Sequence, residues 1–176
     1  MKYALVYGLL SALVVSAVLI VGIALGPSQG FHHSVWFGYL VMLVALSFVF
    51  VGVKRFRDVE RGGVIKFLPA FLMGLAIALV AGIAYVCMWE IYEASTGYRF
   101  MDEYVAAMIR HRQAEGASAA ELARATAEFN EMRVSYANPL FRIPMVFMEI
   151  FPVGLLVALV SAALLRNPRL LPQTRG

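Results

Sequence analysis

Four long apolar stretches are the feature that most restricts the fold of this sequence. They cover about residues 3–25, 35–53, 67–91 and 140–165. A helix needs about 20 apolar residues to cross about 30 Å of hydrocarbon, and each stretch approaches or exceeds that length. Backbone groups in a bilayer need partners within the protein, and the chain lacks the alternating pattern of a membrane β-strand. The four stretches are therefore predicted to be transmembrane helices.

The composition excludes most other classes of protein. The chain is 61% hydrophobic and 15% charged, whereas soluble domains are about 45–50% apolar and about 25% charged. A soluble domain, a disordered tail and a nucleic-acid-binding module are excluded, despite a net charge of +4. The single cysteine, Cys87, excludes an intrachain disulfide. The first stretch is longer than the core of a signal peptide, so we expect it to be retained. We predict an all-α polytopic membrane protein, with residues 1–176 forming one membrane domain.

The segment between the third and fourth stretches is too polar to cross a membrane, and it contains two helical patterns. Apolar residues recur at helical spacing before and after Gly116. Ser118 and Glu121 form a capping box, which marks the start of the second helix. The residues on the two apolar faces are Met101, Tyr104, Val105, Met108, Ile109, Leu122, Ala125, Phe129, Met132 and Tyr136. The pattern predicts an extracytoplasmic αα-hairpin over about residues 100–136.

The distribution of basic residues predicts the orientation. Nine of the fifteen lysines and arginines lie at the two ends of the chain and in the connection 54–66, together with two acids. Basic residues near membrane helices remain on the cytoplasmic side. We therefore expect both termini and this connection to be cytoplasmic, and the hairpin to be outside.

Small residues recur at four-residue intervals in three of the apolar stretches. Such ladders let membrane helices approach closely, and close approach drives their association. The ladders are Ala4, Gly8, Ala12 and Ser16; Ala70, Gly74, Ala78 and Gly82; and Gly154, Ala158 and Ala162. They predict tightly packed helix pairs.

Several short strings together resemble a bacterial four-helix inner-membrane family that is classed only as a domain of unknown function. The strings are Gly52-Val-Lys-Arg-Phe-Arg-Asp58, Gly62-Gly63, Phe100-Met-Asp-Glu-Tyr104, Gly116-Ala-Ser118, Asn138-Pro-Leu140 and Glu149-Ile-Phe-Pro-Val-Gly-Leu155. The resemblance implies a location in the bacterial inner membrane, a short basic second loop and a helical insert before the last crossing. It implies no activity. Arg142 and Pro144 depart from the apolar residues expected near the start of the last crossing.

Glu149 is the first candidate site residue, because it lies within the fourth apolar stretch. A carboxylate there costs about 2.5–3.5 kcal/mol. Pro152 lacks an amide proton, so the Met148 carbonyl loses its helical partner and can accept another hydrogen bond. Two interpretations follow. Glu149 forms a structural hydrogen bond within the bundle or to a neighbouring subunit, or it is a proton-linked switch.

Arg142 lies seven residues before Glu149, about 10 Å nearer the outer surface. Its side chain is expected to extend towards the interface. The alternatives are a direct pair with Glu149 or an ion pair with Glu90 or Glu93, which lie one turn apart at the outer end of the third helix. We expect these two glutamates to be solvated.

The connection between the second and third helices can bind anionic phospholipid headgroups, at about 1 kcal/mol per basic residue. Its basic residues are Lys54, Arg55, Arg57, Arg61 and Lys66. Membrane topology alone also explains these charges.

Adjacent histidines such as His32 and His33 rarely bind one metal ion, and no catalytic motif occurs. We expect no catalytic residues, no metal, no cofactor and no nucleic-acid partner.

The expected function is that of a non-enzymatic, homo-oligomeric inner-membrane component, whose hairpin contacts a partner or the membrane surface. The expected partners are the lipid bilayer, anionic phospholipids and further copies of the chain. The alternative is a small proton-linked transporter or channel subunit that uses Glu149. An intramembrane enzyme is a third class, for which the sequence offers no positive support.

Overall fold

The computed structural model describes residues 1–25 and 35–172, with the backbone alone for residues 19, 22–25 and 35–38. The described part contains six helices and no strand, which confirms the all-α class. The helices are α1 (Lys2–Leu25), α2 (Val35–Glu60), α3 (Phe67–Ser95), α4 (Phe100–Ala114), α5 (Ala119–Ala137) and α6 (Pro139–Leu165).

Three helical segments are long and apolar enough to cross a membrane: Tyr39–Glu60 within α2, the whole of α3 and the whole of α6. A shorter apolar helix covers Lys2–Val18. The chain is thus a multi-pass membrane protein, and a crossing by α1 stays a prediction. The described residues divide between two compact units. Unit 1 comprises Met1–Cys87 and Phe147–Gly176, and unit 2 comprises Met88–Val146.

Helix α2 extends seven residues beyond the predicted apolar stretch, so Lys54, Arg55 and Arg57 lie on a helix. Lysine and arginine are good helix formers, and Lys54 pairs with Asp58 one turn later at 2.6 Å. The turn after α2 contains Gly62 and Gly63, with φ of 62° and 86°. These left-handed conformations favour glycine and end the helix.

In unit 1, α1 packs against α2. All residues of the three small-residue ladders are buried. A Cβ added to Gly74 would lie 2.9 Å from the Cβ of Ala158, and one added to Gly8 would lie 2.6 Å from the Cβ of Val80. Such distances are shorter than normal packing allows, so close approach of α3 to α6 and of α1 to α3 requires glycine at these positions.

In unit 2, α4 packs against α5 as a hairpin. The predicted capping box is confirmed: Ser118 Oγ accepts from the Glu121 amide, and Glu121 Oε2 accepts from the Ser118 amide at 2.8 Å. These hydrogen bonds from Ser118 lower the pKa of Glu121 below its usual range. Gly116, with φ of 83°, lies in the turn between the helices.

The core of the hairpin consists of Met101, Val105 and Tyr136, against which Ile109 and Phe129 pack. Four of the predicted face residues on α5 are half-buried, and Tyr136 is fully buried. Tyr104 is different. It is 41% exposed and its ring stacks on Phe100, so its predicted place on the packed face is wrong.

Phe129→Asp is expected to loosen the hairpin, because it places a charge against the core of Met101, Val105 and Tyr136. A loss of about 1–3 kcal/mol is typical of such a change. Hydrogen exchange of amides 118–136 should then accelerate tenfold or more. Val134→Asp is the matched control, because Val134 on the same helix is 71% exposed. Equal exchange rates of amides 118–136 in the two variants would contradict the packing of Phe129 against the hairpin core.

Candidate functional site

An ion pair joins α3 to α6 within unit 2. Arg142 donates through Nε to Glu90 Oε1 at 2.7 Å and through Nη2 to Glu90 Oε2 at 2.6 Å. Its Nη1 donates to the Tyr136 carbonyl at 3.2 Å. The bidentate geometry uses the planar fork of the guanidinium, which lysine cannot reproduce. Arg142 is only 2% exposed, so the pair is largely removed from solvent.

Two aromatic rings flank the guanidinium. Its carbon lies 5.2 Å from the ring centre of Tyr98 and 5.6 Å from that of Tyr136, within the range of cation–π attraction. Tyr98 has a φ of 58°, which is uncommon for a residue with a side chain. Its amide donates to the Glu93 carbonyl at 2.8 Å, which closes the end of α3. The turn that ends α3 thereby also positions the Tyr98 ring.

Unit 2 also contains a series of hydrogen bonds that links Trp89, Tyr136 and Glu93. Trp89 Nε1 donates to the Tyr136 hydroxyl at 2.7 Å, and that hydroxyl donates to Glu93 Oε1 at 3.3 Å. All three residues are buried, with Glu93 only 1% exposed. Burial raises the pKa of the Tyr136 phenol well above its usual range, so the phenol keeps its proton.

These six residues are called the Arg142 cluster: Trp89, Glu90, Glu93, Tyr98, Tyr136 and Arg142. The cluster connects the last turns of α3, the end of α5 and the first turn of α6. Hydrogen bonds join five of these residues, and the Tyr98 ring packs on the Arg142 guanidinium. This arrangement suits the cluster to holding these elements in place. Among the described residues, no group of three or more histidine, cysteine, aspartate or glutamate side chains could hold a metal ion.

The positions of Arg142 and Glu93 in this cluster differ from those predicted from the sequence. Arg142 was expected to extend to the interface, but it is buried and paired with Glu90. Glu93 was expected to be solvated, and it is buried beside Tyr136. The Glu90 side chain retains 26% exposure. The physical reason is that the Tyr98 and Tyr136 rings flank Arg142 and the Tyr136 hydroxyl donates to Glu93. The sequence of α3 and α6 alone does not reveal these contacts.

A second buried arginine lies in unit 1. Arg57 is 0% exposed, although it was predicted to contact anionic lipid. Its Nη1 and Nη2 donate to the carbonyls of Leu170 and Leu171 at 3.0 and 2.6 Å, and its Nε donates to Asp58 at 2.7 Å. The prediction that Arg57 contacts anionic lipid is therefore wrong. The side chain is buried, and its hydrogen-bond donors bind the segment after α6 instead.

Arg57→Lys is expected to release the segment after α6, because lysine keeps the charge but lacks the fork that binds two carbonyls. Hydrogen bonds to charged groups contribute about 1.5–3 kcal/mol. Tryptic cleavage at Arg166 and Arg169 should therefore accelerate about tenfold or more.

The matched control is Arg55→Lys, because Arg55 is an exposed arginine on the same helix. Cleavage after Arg166 and Arg169 should be unchanged in that variant. Equal rates in Arg57→Lys and the native protein would contradict the contact with Leu170 and Leu171.

The other basic residues of this region have different surroundings. Lys54 pairs with Asp58 and is half-buried. Arg55, Arg61 and Lys66 are exposed. The predicted lipid contact is thus sterically open to these three residues.

Glu149 lies on an exposed face of α6, as does Pro152. Ala158 and Ala162 are fully buried. At 100° per residue, Glu149 lies about 180° around the helix from Ala158. Among the residues that the structure describes, Glu149 has no hydrogen bond and no ion pair.

A family model described as "Protein of unknown function (DUF4199)" matches residues 2–167. The chain belongs to the DUF4199 family. No curated protein and no solved structure matches it. The family has no assigned function, so the function of this DUF4199 protein has to be argued from its own residues.

The family match covers all six helices of this DUF4199 protein, and hence the Arg142 cluster, Arg57 and Glu149. It ends before Leu170 and Leu171, whose carbonyls accept from Arg57. Main-chain carbonyls are present whatever the residue type, so this contact depends on Arg57 and on the path of the chain.

Sequence reasoning missed Trp89 and Tyr98 as neighbours of the charged residues in this DUF4199 protein. Tyr136 was predicted only as an apolar residue of the hairpin. One sequence feature could have suggested the cluster: tryptophan and tyrosine adjoin Glu90 and Glu93 in Trp89-Glu-Ile-Tyr-Glu93, and such aromatic residues bury best with a polar partner. His32 and His33 lie outside the described residues.

Proposed function

We propose that this DUF4199 protein is a non-enzymatic, homo-oligomeric component of the bacterial inner membrane. In this proposal α1, α2, α3 and α6 cross the membrane, both termini are cytoplasmic, and the hairpin of α4 and α5 lies outside. There the hairpin contacts a partner or the membrane surface.

The observation that carries the proposal is the position of Glu149. It is exposed on a helix apolar enough to cross a membrane, and it has no polar partner among the described residues. A carboxyl group facing lipid costs several kcal/mol, whereas one in a protein interface can form hydrogen bonds. A second copy offers a matching face, because a twofold interface uses the same surface on both subunits.

The neighbours of Glu149 support an interface. Met148, Pro152 and Leu156 are within two turns of it and are also exposed. Pro152 has no amide proton to donate to the Met148 carbonyl. A protonated Glu149 of one copy can donate to such a carbonyl of another copy, which satisfies both groups.

The size of the assembly tests this proposal directly. We expect the native mass of the protein in nanodiscs or mild detergent to be a multiple of the 19.4 kDa chain. A mass of one chain across a hundredfold range of concentration would contradict the oligomer.

Alkaline phosphatase fusions test the orientation, which the excess of basic residues supports. Phosphatase is active only outside the cytoplasm, so a fusion after Gly116 in the hairpin turn should be active. A fusion after Gly176 should be inactive, and β-galactosidase fusions at the same sites should show the inverse. The reverse pattern would overturn the orientation.

A proton-linked transporter or channel subunit is the second candidate. It is favoured by the same carboxyl group, because ionisable residues inside membrane helices commonly mark proton pathways. The two candidates differ in flux: proteoliposomes should show a pH-dependent flux only if the second is right.

A further inference from the structure

A groove in unit 1 opens beside the first turn of α1, the end of α2 and the first turns of α3. Its volume is about 420 Å³, within the range of about 300–1,000 Å³ for small-molecule sites. The lining residues are Met1, Ala4, Phe56, Arg61, Leu68, Pro69, Leu72, Met73 and Ala76. Among these described residues, Arg61 has the only charged side chain.

The shape of the groove suits an extended apolar chain. It follows α3 from Leu68 to Ala76, a distance of about 12 Å along the helix axis. Leu68 and Leu72 are 61% and 53% exposed, so the groove is open along its length. Helix α3 is apolar enough to cross a membrane, and acyl chains therefore surround this wall.

The positive charge of Arg61 is not neutralised by a neighbouring acid. The two acids near the end of α2 are already bound: Asp58 to Lys54 and Arg57, and Glu60 to Lys2 and Tyr3. Within the described ranges, Arg61 has no carboxylate partner. Its guanidinium lies 5.5 Å from the ring centre of Phe56, which is another residue of the groove wall.

We propose that this groove binds one anionic phospholipid. An acyl chain lies along the wall formed by Leu68, Leu72 and Ala76, and the phosphate accepts hydrogen bonds from Arg61. Guanidinium binds phosphate through two parallel hydrogen bonds, which a neutral side chain cannot replace. The site is independent of the homo-oligomer proposed above, because it uses neither Glu149 nor the exposed face of α6.

The charge of the groove favours a lipid over a second copy of the chain. A second copy would have to supply a carboxylate beside Arg61 and an apolar segment along α3. A phospholipid supplies an anion and an apolar chain in one molecule. It is also the molecule that surrounds α3 in a membrane.

Native mass spectrometry of the full chain, titrated with phosphatidylglycerol or with phosphatidylcholine, tests the proposal. We expect one phosphatidylglycerol to bind at least fivefold more tightly than phosphatidylcholine. Arg61→Gln should lower the affinity for phosphatidylglycerol about fivefold, the equivalent of about 1 kcal/mol per basic residue at a membrane surface. It should lower the affinity for phosphatidylcholine less, because the choline group of that lipid offsets the charge of its phosphate. Ala76→Phe fills the groove and should lower the affinity for both lipids.

Two control variants distinguish binding in the groove from the effects of losing a surface charge or adding a large side chain elsewhere. Arg166→Gln removes an exposed charge after α6 that does not line the groove, and Ala163→Phe enlarges an exposed alanine of α6. Both should bind lipid within twofold of the native protein. Circular dichroism and the assembly mass establish that each variant is folded.

Three results would overturn the lipid site. Arg166→Gln would weaken binding as much as Arg61→Gln if the affinity depends only on the total charge of the protein surface. Phosphatidylcholine would bind as tightly as phosphatidylglycerol if the net negative charge of the lipid does not contribute to binding, which would exclude a site for an anionic phospholipid. A disulfide between copies carrying Leu72→Cys in a Cys87→Ser background would show that a second copy fills the groove.

Discussion

Arg142→Leu is expected to destabilise the protein by about 3–5 kcal/mol, the usual cost of removing one partner from a buried ion pair. The substitution leaves Glu90 without its bidentate partner. It also removes the donor to the Tyr136 carbonyl and the cation between the Tyr98 and Tyr136 rings. The Glu90 side chain retains 26% exposure, so we expect the lower half of that range. Chemical unfolding in detergent, followed by tryptophan fluorescence, measures the change.

A double variant separates the ion pair from the space that Arg142 fills. Arg142→Leu combined with Glu90→Leu removes both charges, and it should be less destabilised than Arg142→Leu alone. Arg133→Leu is the surface control. It breaks the exposed pair with Asp102 and should cost less than about 1 kcal/mol. A loss in Arg142→Leu no larger than in Arg133→Leu would contradict the buried pair.

The helices of this protein could be predicted because hydrophobic length and spacing encode them directly. The apolar stretches became helices, and the capping box at Ser118 begins α5 as expected. The small-residue ladders are buried because glycine and alanine are the residues that permit close approach. The end of α2 was placed too early, because its last two turns are polar and the prediction followed apolarity alone.

The charged residues could not be placed in the same way. Arg57 and Arg61 are of the same type and lie one turn apart, yet Arg57 is fully buried and Arg61 is exposed. The difference arises from the carbonyls of Leu170 and Leu171, more than 100 residues further along the chain. Charge alone predicts lipid contact for both. Only the tertiary fold shows which arginine has its donors already bound.

Glu149 illustrates what helical periodicity can establish. The spacing on α6 places the carboxyl group opposite Ala158, and the structure has Glu149 exposed and Ala158 buried. Periodicity does not identify the partner of the exposed face. That question requires variants that change the hydrogen bonding of residue 149 separately from its charge.

Glu149→Leu is expected to weaken the homo-oligomer 5- to 30-fold, while Glu149→Gln preserves it. Glutamine retains a donor and an acceptor, as a neutral carboxyl does, whereas leucine has neither. Hydrogen bonds between membrane helices contribute about 1–2 kcal/mol in model peptides, which corresponds to that range. Native mass as a function of concentration measures the assembly constant. Glu128→Leu is the matched control, because it removes an exposed glutamate of the hairpin helix α5.

The same variants decide between an assembly role and a proton-linked role for Glu149. If the carboxyl group carries protons, Glu149→Gln should abolish a pH-dependent flux in proteoliposomes and leave the assembly intact, since glutamine does not titrate. If the carboxyl group only joins subunits, the native protein and Glu149→Gln should show no such flux and should assemble equally well. A native protein that is strictly monomeric, shows no pH-dependent flux and tolerates leucine at position 149 without loss of stability would exclude both roles.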